Sequence, residues 1–416
     1  MNARALTGLL CAAAMLAGCG APQAGIGVPP LARASQHLGS GNEQVLYAFT
    51  GGNDGGDAAS GVLVDAKGNL YGTTVVGGTF ACGTVFELAP QSGSRWRESI
   101  LHDFTCLSDG KNPYGGVAFD AHGQLVGTTV AGGSGGTCAG DGCGVVFALT
   151  SSGESVLHAF TGGEDGFGPG GAVAFDSHGN AFGATPDGGS GYEGVIYEIV
   201  SGKQSHENVL HAFTGGSDGG VGSLGTLLYA HGDLYGVTEI GGANGAGTAF
   251  RLSRSGAHWK LTTLYAFKGS PDAGSPYGGL VAGASGRLYG TTYYGGRGGL
   301  GAVYELVPKG RHGYGERVLY SFKGGSDGSA PTSTLAVGKS GTLYGTTSAG
   351  GGSCGCGTIF SLNPASGKER VLHAFAGGSD GAYPYYGLTA GASGEFYGTT
   401  VAGGGSNQGT LFEFVP

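Results

Sequence analysis

The chain has 416 residues, among them 95 glycines and 14 prolines, and sets 20 basic against 29 acidic side chains. An acidic balance without a basic run argues against nucleic acid as a partner, since phosphate binding needs a cationic patch. Charged residues make up only 12% while apolar ones reach 40% and aromatics 10%, which excludes a disordered, solvated chain and provides for a sizeable core.

The first segment, MNARALTGLLCAAAMLAGCG, has one charge at Arg4 and then an apolar run that ends in Leu16–Cys19, LAGC. The run is too short to span a bilayer and reads as a secretory signal. Small residues before a cysteine resemble the lipobox of bacterial lipoproteins. The resemblance implies that residues 1–19 are the signal and that Cys19 is diacylated and holds the protein to the membrane. Residues 20–43, rich in Gly, Pro, Ala and Ser, read as a flexible tether.

From residue 44 onward one pattern repeats. Each unit begins with a VLHAF-like run whose phenylalanine recurs as Phe49, Phe104, Phe160, Phe213, Phe267, Phe322 and Phe375. Three further short segments follow it, of the types GGVAFD, LYGTT and GTVFEL. All are β-branched or aromatic and bounded by Gly, Asp, Asn and Ser, which is strand-and-turn chemistry. No stretch keeps a helical apolar period. Seven units of four strands predict an all-β, seven-bladed β-propeller over 44–416, closed so that no long strand edge is left free. A solenoid fits less well, because the terminal units are as regular as the inner ones and do not look like caps. The phase places VLHAF outermost and the YGTT strand second. The strand near 45–49 then completes the last blade beside strands near 387–391, 395–400 and 409–415.

Two residues of the second strand are the same in all seven units. The glycine is Gly72, Gly127, Gly183, Gly236, Gly290, Gly345 and Gly398; the closing threonine is Thr74, Thr129, Thr185, Thr238, Thr292, Thr347 and Thr400. A glycine inside a strand marks close approach. It is expected to be a blade-to-blade packing site, with the threonine hydroxyl tying the next turn. The recurring LYGTT…GG…GTVFEL pattern, over residues 45–416, resembles the GloVer tandem repeat of exported bacterial "choice-of-anchor" proteins. That resemblance implies export to the bacterial cell envelope and anchoring, in line with the lipobox, and implies no reaction and no catalytic residues.

Two sets of loops share one face of such a ring. One carries an aspartate five residues past each phenylalanine: Asp54, Asp109, Asp165, Asp218, Asp272, Asp327 and Asp380. One carboxylate per blade does not converge as calcium requires, so these read as caps of their own turns. The same face is expected to carry aromatics: Tyr114, Tyr277, Tyr385 and Tyr386 on the first loops, and Phe80, Tyr192, Tyr293 and Tyr294 on the second. A tyrosine offers a flat apolar surface with a polar tip, suited to a glycan or a protein, although packing between adjacent loops uses the same residues. His102, His158, His211 and His373 exchange with Tyr47, Tyr265 and Tyr320 at one outer-strand position, which suggests a half-buried ring and not a ligand. GGSGG at 132–136 matches a nucleophile motif only through glycine content, and no cofactor or metal-ligand spacing is present.

Six cysteines remain for pairing in an exported protein. Folding the hairpin of the first unit about Ser94 sets Cys82 opposite Cys106; Cys138 pairs with Cys143 in the insertion of unit two, and Cys354 with Cys356 in unit six. The functional expectation is a lipid-anchored, non-catalytic binding, adhesion or scaffold module for a glycan or protein. The alternative is a periplasmic polysaccharide lyase or hydrolase working over the central channel. Departures from the repeat are read as glycines and cysteines, which weighs against the enzyme.

Overall fold

The computed structural model describes residues 42–93, 95–138, 140–202, 205–222, 225–256, 258–310 and 313–416. Cys19, the signal and most of the tether lie outside the described residues. Seven antiparallel sheets follow one another along the chain and form a seven-bladed propeller. Blade one is Leu63–Val64, Leu70–Thr74, Thr84–Gln91 and Arg95–Asp103, in that order from the axis outward. The same order recurs in every blade, and α-helix is absent among the described residues, which hold only short 3₁₀ turns.

The closing strand lies where the repeat phase puts it. Asn42–Ala48 pairs antiparallel with Thr410–Val415 as the outermost strand of blade seven, with Val45 opposite Phe412. It begins at Asn42, inside the segment read as tether. The first described strand and the last strand therefore sit in one blade, and closure leaves no gap between first and last units.

The inner strands are shorter than the sequence suggests. All seven are two or three residues long, such as Leu63–Val64 and Val117–Phe119. Near the axis the backbones of neighbouring blades touch: a Cβ on Gly115 would stand 2.5 Å from the Gly171 carbonyl oxygen. Blade-to-blade contact there takes the place of a longer ladder. Blades four and five add Gly220–Gly222 and Ala273–Pro276 beside the second strand, which brings the strands to thirty where twenty-eight are expected.

The strand glycine has a different job from the one expected. In each blade it stands directly across from the aromatic of the third strand: Gly72 from Phe86, Gly183 from Tyr197, Gly398 from Phe412. A Cβ on Gly398 would meet the Phe412 ring at 2.5 Å. The glycine is thus a seat for a ring within its own blade. The blade-to-blade contact is made by that ring, which meets the marker phenylalanine closing the outer strand of the preceding blade. The seven ring pairs, from Phe49–Phe86 to Phe375–Phe412, have centroids 4.9–5.5 Å apart. Each phenylalanine is fully buried.

Hydroxyls finish the seams. The last threonine of YGTT does tie the turn that follows, as Thr400 Oγ1 donates to the Ala402 carbonyl at 2.9 Å and Thr347 to Ala349 at 3.0 Å. The threonine before it reaches the next blade: Thr73 donates to the Pro113 carbonyl at 2.7 Å, Thr291 to Ser333 at 2.7 Å and Thr399 to Ser60 at 2.8 Å. Ala184 and Val237 stand at this position in blades three and four, so those seams lack the bond. All three expected disulfides are formed, with Cα separations of 5.4 Å for Cys82–Cys106, 5.4 Å for Cys138–Cys143 and 5.3 Å for Cys354–Cys356.

The glycine seat makes a specific prediction. Gly398→Ala overpacks the ring and is expected to cost about 1–3 kcal/mol in denaturant unfolding. Adding Phe412→Leu to it should recover part of that loss, because the added methyl then has room. If the double variant is less stable than the sum of the two single changes, the seat is not what requires glycine.

Candidate functional site

The loops after the marker phenylalanines are built alike. Six of the seven aspartates, all but Asp272, cap their own turns: Asp54 accepts from the Thr50 N–H at 2.9 Å and from the Thr50 hydroxyl, and Asp109 accepts from the Thr105 N–H at 2.9 Å. The His/Tyr position of the outer strand supplies a second partner, with the Tyr320 hydroxyl 2.6 Å from Asp327 and His211 Nε2 3.1 Å from Asp218. That explains the exchange of two ring types at one site: either presents a polar tip to the cap, except at Tyr265, whose hydroxyl turns to Glu316 at 3.4 Å. Hydrogen bonds hold Asp218 below the usual carboxylate range against the opposing effect of burial.

Three residues beyond the aspartate the chain turns inward through a left-handed residue. Asp57, Asn112, Ser275, Ala330 and Tyr383 have φ of 54°, 54°, 52°, 53° and 59°. Such a conformation is uncommon outside glycine. It is held because the N–H of each donates to a carbonyl of the preceding blade, as Asp57 does to Gln408 at 2.8 Å and Tyr383 to Cys356 at 2.8 Å. A tyrosine follows two residues after this turn in blades two and five (Tyr114, Tyr277) and in blade seven (Tyr385, then Tyr386).

These tyrosines act on one another electrostatically. Burial raises the pKa of Tyr277, and Glu239, Tyr385, Tyr114 and Tyr293 raise it further. Burial also raises Tyr386, with added contributions from Tyr277, Tyr114 and Asp57. Tyr114 is pushed up to about 12 by burial and by Asp57. Blades two and five are not neighbours, so Tyr114 and Tyr277 can act on one another only across the axis. The tyrosines therefore converge over the mouth of the ring on its loop face. Tyr293 joins them, its ring centroid 6.5 Å from Tyr277, and Tyr294 stands edge-on to Tyr293 at 4.5 Å.

The other expected aromatics stand apart from this cluster. Phe80 and Tyr192 are 52% and 78% exposed. Tyr114, Tyr277, Tyr385 and Tyr386 are only half-buried, tucked into the ring and not displayed on loop tips. Two acids complete the mouth that the sequence reading did not single out. Asp57 is raised to about 6 by burial, its Oδ1 shielded and without a hydrogen-bond partner. Glu239 is raised by burial as well. Both replace ordinary residues of the repeat: Asp57 stands where blade two has Asn112, and Glu239 where blades one, two and seven have Val75, Val130 and Val401. The departures from the repeat thus include acids and aromatics gathered at the mouth, not only glycines and cysteines. A position-by-position comparison of the seven units carries that signal.

A second constellation lies at the perimeter. At six of the seven blade interfaces a glutamate of the outer strand stands six residues before its phenylalanine, facing the aspartate cap of the loop behind it. Burial, aided by that aspartate, pushes Glu98, Glu154 and Glu207 to about 7. Leu261 holds the position in blade four.

Fold and repeat together define a seven-bladed propeller built from tandem copies of one repeat. The chain belongs to the Gloeobacter/Verrucomicrobia repeat family, whose model matches residues 134–351 and 260–416. No curated protein matches the chain significantly in sequence. Among solved structures it is similar to a fungal alcohol oxidase of the AA5 family in complex with copper, at 14% identity and a TM-score of 0.54, over 91% of this chain and 76% of that one. It is also similar to a gluconolactonase from Xanthomonas campestris, at 12% identity and a TM-score of 0.44, over 91% and 90% of the two chains. Likeness at these identities is a likeness of scaffold.

Asp57 gives a pH-dependent prediction. Its folded pKa lies above the unfolded value of 3.8, so its contribution to stability is present below that pH and is lost as pH rises through about 6. Asp57→Asn is compatible with the left-handed turn, as Asn112 shows. It should melt like the wild type at pH 4 and at a higher temperature than the wild type at pH 8. Equal melting temperatures at pH 8 would show that the carboxylate is not penalised by its site.

Proposed function

We propose that this protein is a non-catalytic binding module of the bacterial cell envelope, with the tyrosine-lined mouth of the propeller as its ligand site and a glycan segment as its ligand. The supporting observation is the convergence of Tyr114, Tyr277, Tyr293, Tyr385 and Tyr386 across the axis, beside Asp57 and Glu239. Sugar rings have apolar faces that stack on aromatic planes and hydroxyls that pair with phenols and carboxyls. The phenolic pKa values are raised, so these groups remain donors and acceptors in neutral solution and are unsuited to act as general bases. The site offers shape and hydrogen bonding without an activated nucleophile.

Glycan-array binding by the full chain tests this. Tyr277→Ala and Tyr385→Ala are each expected to weaken binding by about tenfold, the usual loss at a central aromatic anchor. A wild-type protein that binds no glycan, or variants that bind as well as it does, would remove the reading. One observation favours the alternative of a polysaccharide-cleaving enzyme: Asp57 titrates near pH 6 at the mouth, where a general acid would sit. Cleavage of a polysaccharide by the wild type and its loss in Asp57→Asn would decide for that alternative.

Anchoring rests on the LAGC tetrad and on the family's exported character. Cys19→Ala is expected to move the protein from the membrane fraction to the soluble fraction with its melting curve unchanged. A variant that still sediments with membranes after a high-salt wash would refute acylation at Cys19.

A further inference from the structure

The interface between blades six and seven, where the N-terminal strand faces blade six, differs from the other six. Glu43 comes from the N-terminal strand, in blade seven; His373 comes from the outer strand of blade six, Lys368–Ala374; Asp380 caps the loop between these blades. One donor atom of each lies within 4.8 Å of both others, and among the described residues no other set of three or more His, Cys, Asp or Glu does so. Asp380 Oδ2 is taken up by the Ala376 N–H at 2.6 Å, while Oδ1 faces His373 Nε2 at 3.2 Å. The His373 side chain is 10% exposed, its Nε2 shielded and paired with Asp380 Oδ1, while Oε1 of Glu43 is shielded from solvent and has no hydrogen-bond partner. A shielded carboxylate oxygen left unpaired beside that pair is costly unless something occupies the space between them.

We propose that Glu43, His373 and Asp380 bind a divalent transition-metal ion of the zinc class, which clamps the N-terminal strand to blade six. The donor set selects the class. One imidazole nitrogen with two carboxylate oxygens suits zinc, whereas calcium takes six to eight oxygens and magnesium an octahedron of them. Donors around zinc sit at about 2.0–2.2 Å from the ion, so the three atoms need only a small contraction that side-chain rotation supplies. Two carboxylates neutralise the ion, and water completes a tetrahedron. The same residue types recur as His102, Asp109 and Glu154 and as His158, Asp165 and Glu207, but their donor atoms do not converge in this way. The site belongs to the latch, where the two ends of the chain must be held in one blade.

Metal-stripped full chain titrated with zinc chloride by calorimetry, with melting curves recorded in parallel, tests the proposal. The wild type is expected to bind zinc at this site and to melt at a higher temperature with it. His373→Tyr removes a ligand and should keep the fold, because Tyr47, Tyr265 and Tyr320 stand at the same place in other blades. It should abolish the zinc-dependent rise in melting temperature. Glu43→Gln should weaken zinc binding at this site by at least about tenfold, since loss of even an outer-shell partner costs that much. Glu154→Gln, at another interface, should leave both readings unchanged. A wild type without zinc binding, variants of Glu43 and His373 that respond to zinc as the wild type does, or calcium binding in preference at these residues would each overturn the proposal.

Discussion

The propeller depends on one contact made seven times: a third-strand aromatic ring, seated over a glycine of its own blade, receives the phenylalanine that closes the outer strand of the blade before. The two most regular features of the sequence, the glycine of YGTT and the phenylalanine of VLHAF, are the two ends of that contact. Burying a phenylalanine of this kind contributes roughly 1.5–3 kcal/mol. A break anywhere in the ring would expose one such pair. At the junction of the chain ends the pair is Phe49 on Phe86, so the contact that joins ordinary blades also demands that the N-terminal strand dock in the last one.

Polar groups refine what the rings hold. The aspartate caps fix six of the seven loops after the phenylalanines, and the His or Tyr beside such a cap ties it to the outer strand. The first threonine of YGTT links five blades to their neighbours through backbone carbonyls, two of these links being Thr128 to Gly171 and Thr346 to Tyr386. With the frame set by these repeated interactions, single positions can change without loss of fold. Those changes are where chemistry enters: Asp57 and Glu239 at the mouth, the tyrosines of blades two, five and seven, and the glutamates facing the caps at the perimeter.

A left-handed residue in six of the seven inward turns makes the mouth possible. Its N–H is spent on the preceding blade, so the turn is held by the ring whatever its side chain. Asp, Asn, Ser, Ala and Tyr all occupy it. A position that is fixed in backbone and free in side chain is a suitable place to vary a binding surface, and the tyrosines two residues on inherit that fixed direction.

Blade number, strand order, the latch at the chain ends and the three cysteine pairs were all legible in the sequence, because each follows from a period or from distances along a hairpin. A period of four strands cannot say which atoms touch across a ring. The glycine was read as a contact between blades, yet it serves a ring of its own blade, since only register shows that Gly72 faces Phe86. Tyr114 and Tyr277 act on one another across the axis although blades two and five are not neighbours. Glu43 reaches His373 from the other end of the chain. The sequence determined the repeated unit, because local strand and turn chemistry is the same in each copy. Only the tertiary structure decided the mouth and the latch site, because closing the ring brings together residues that no local spacing connects.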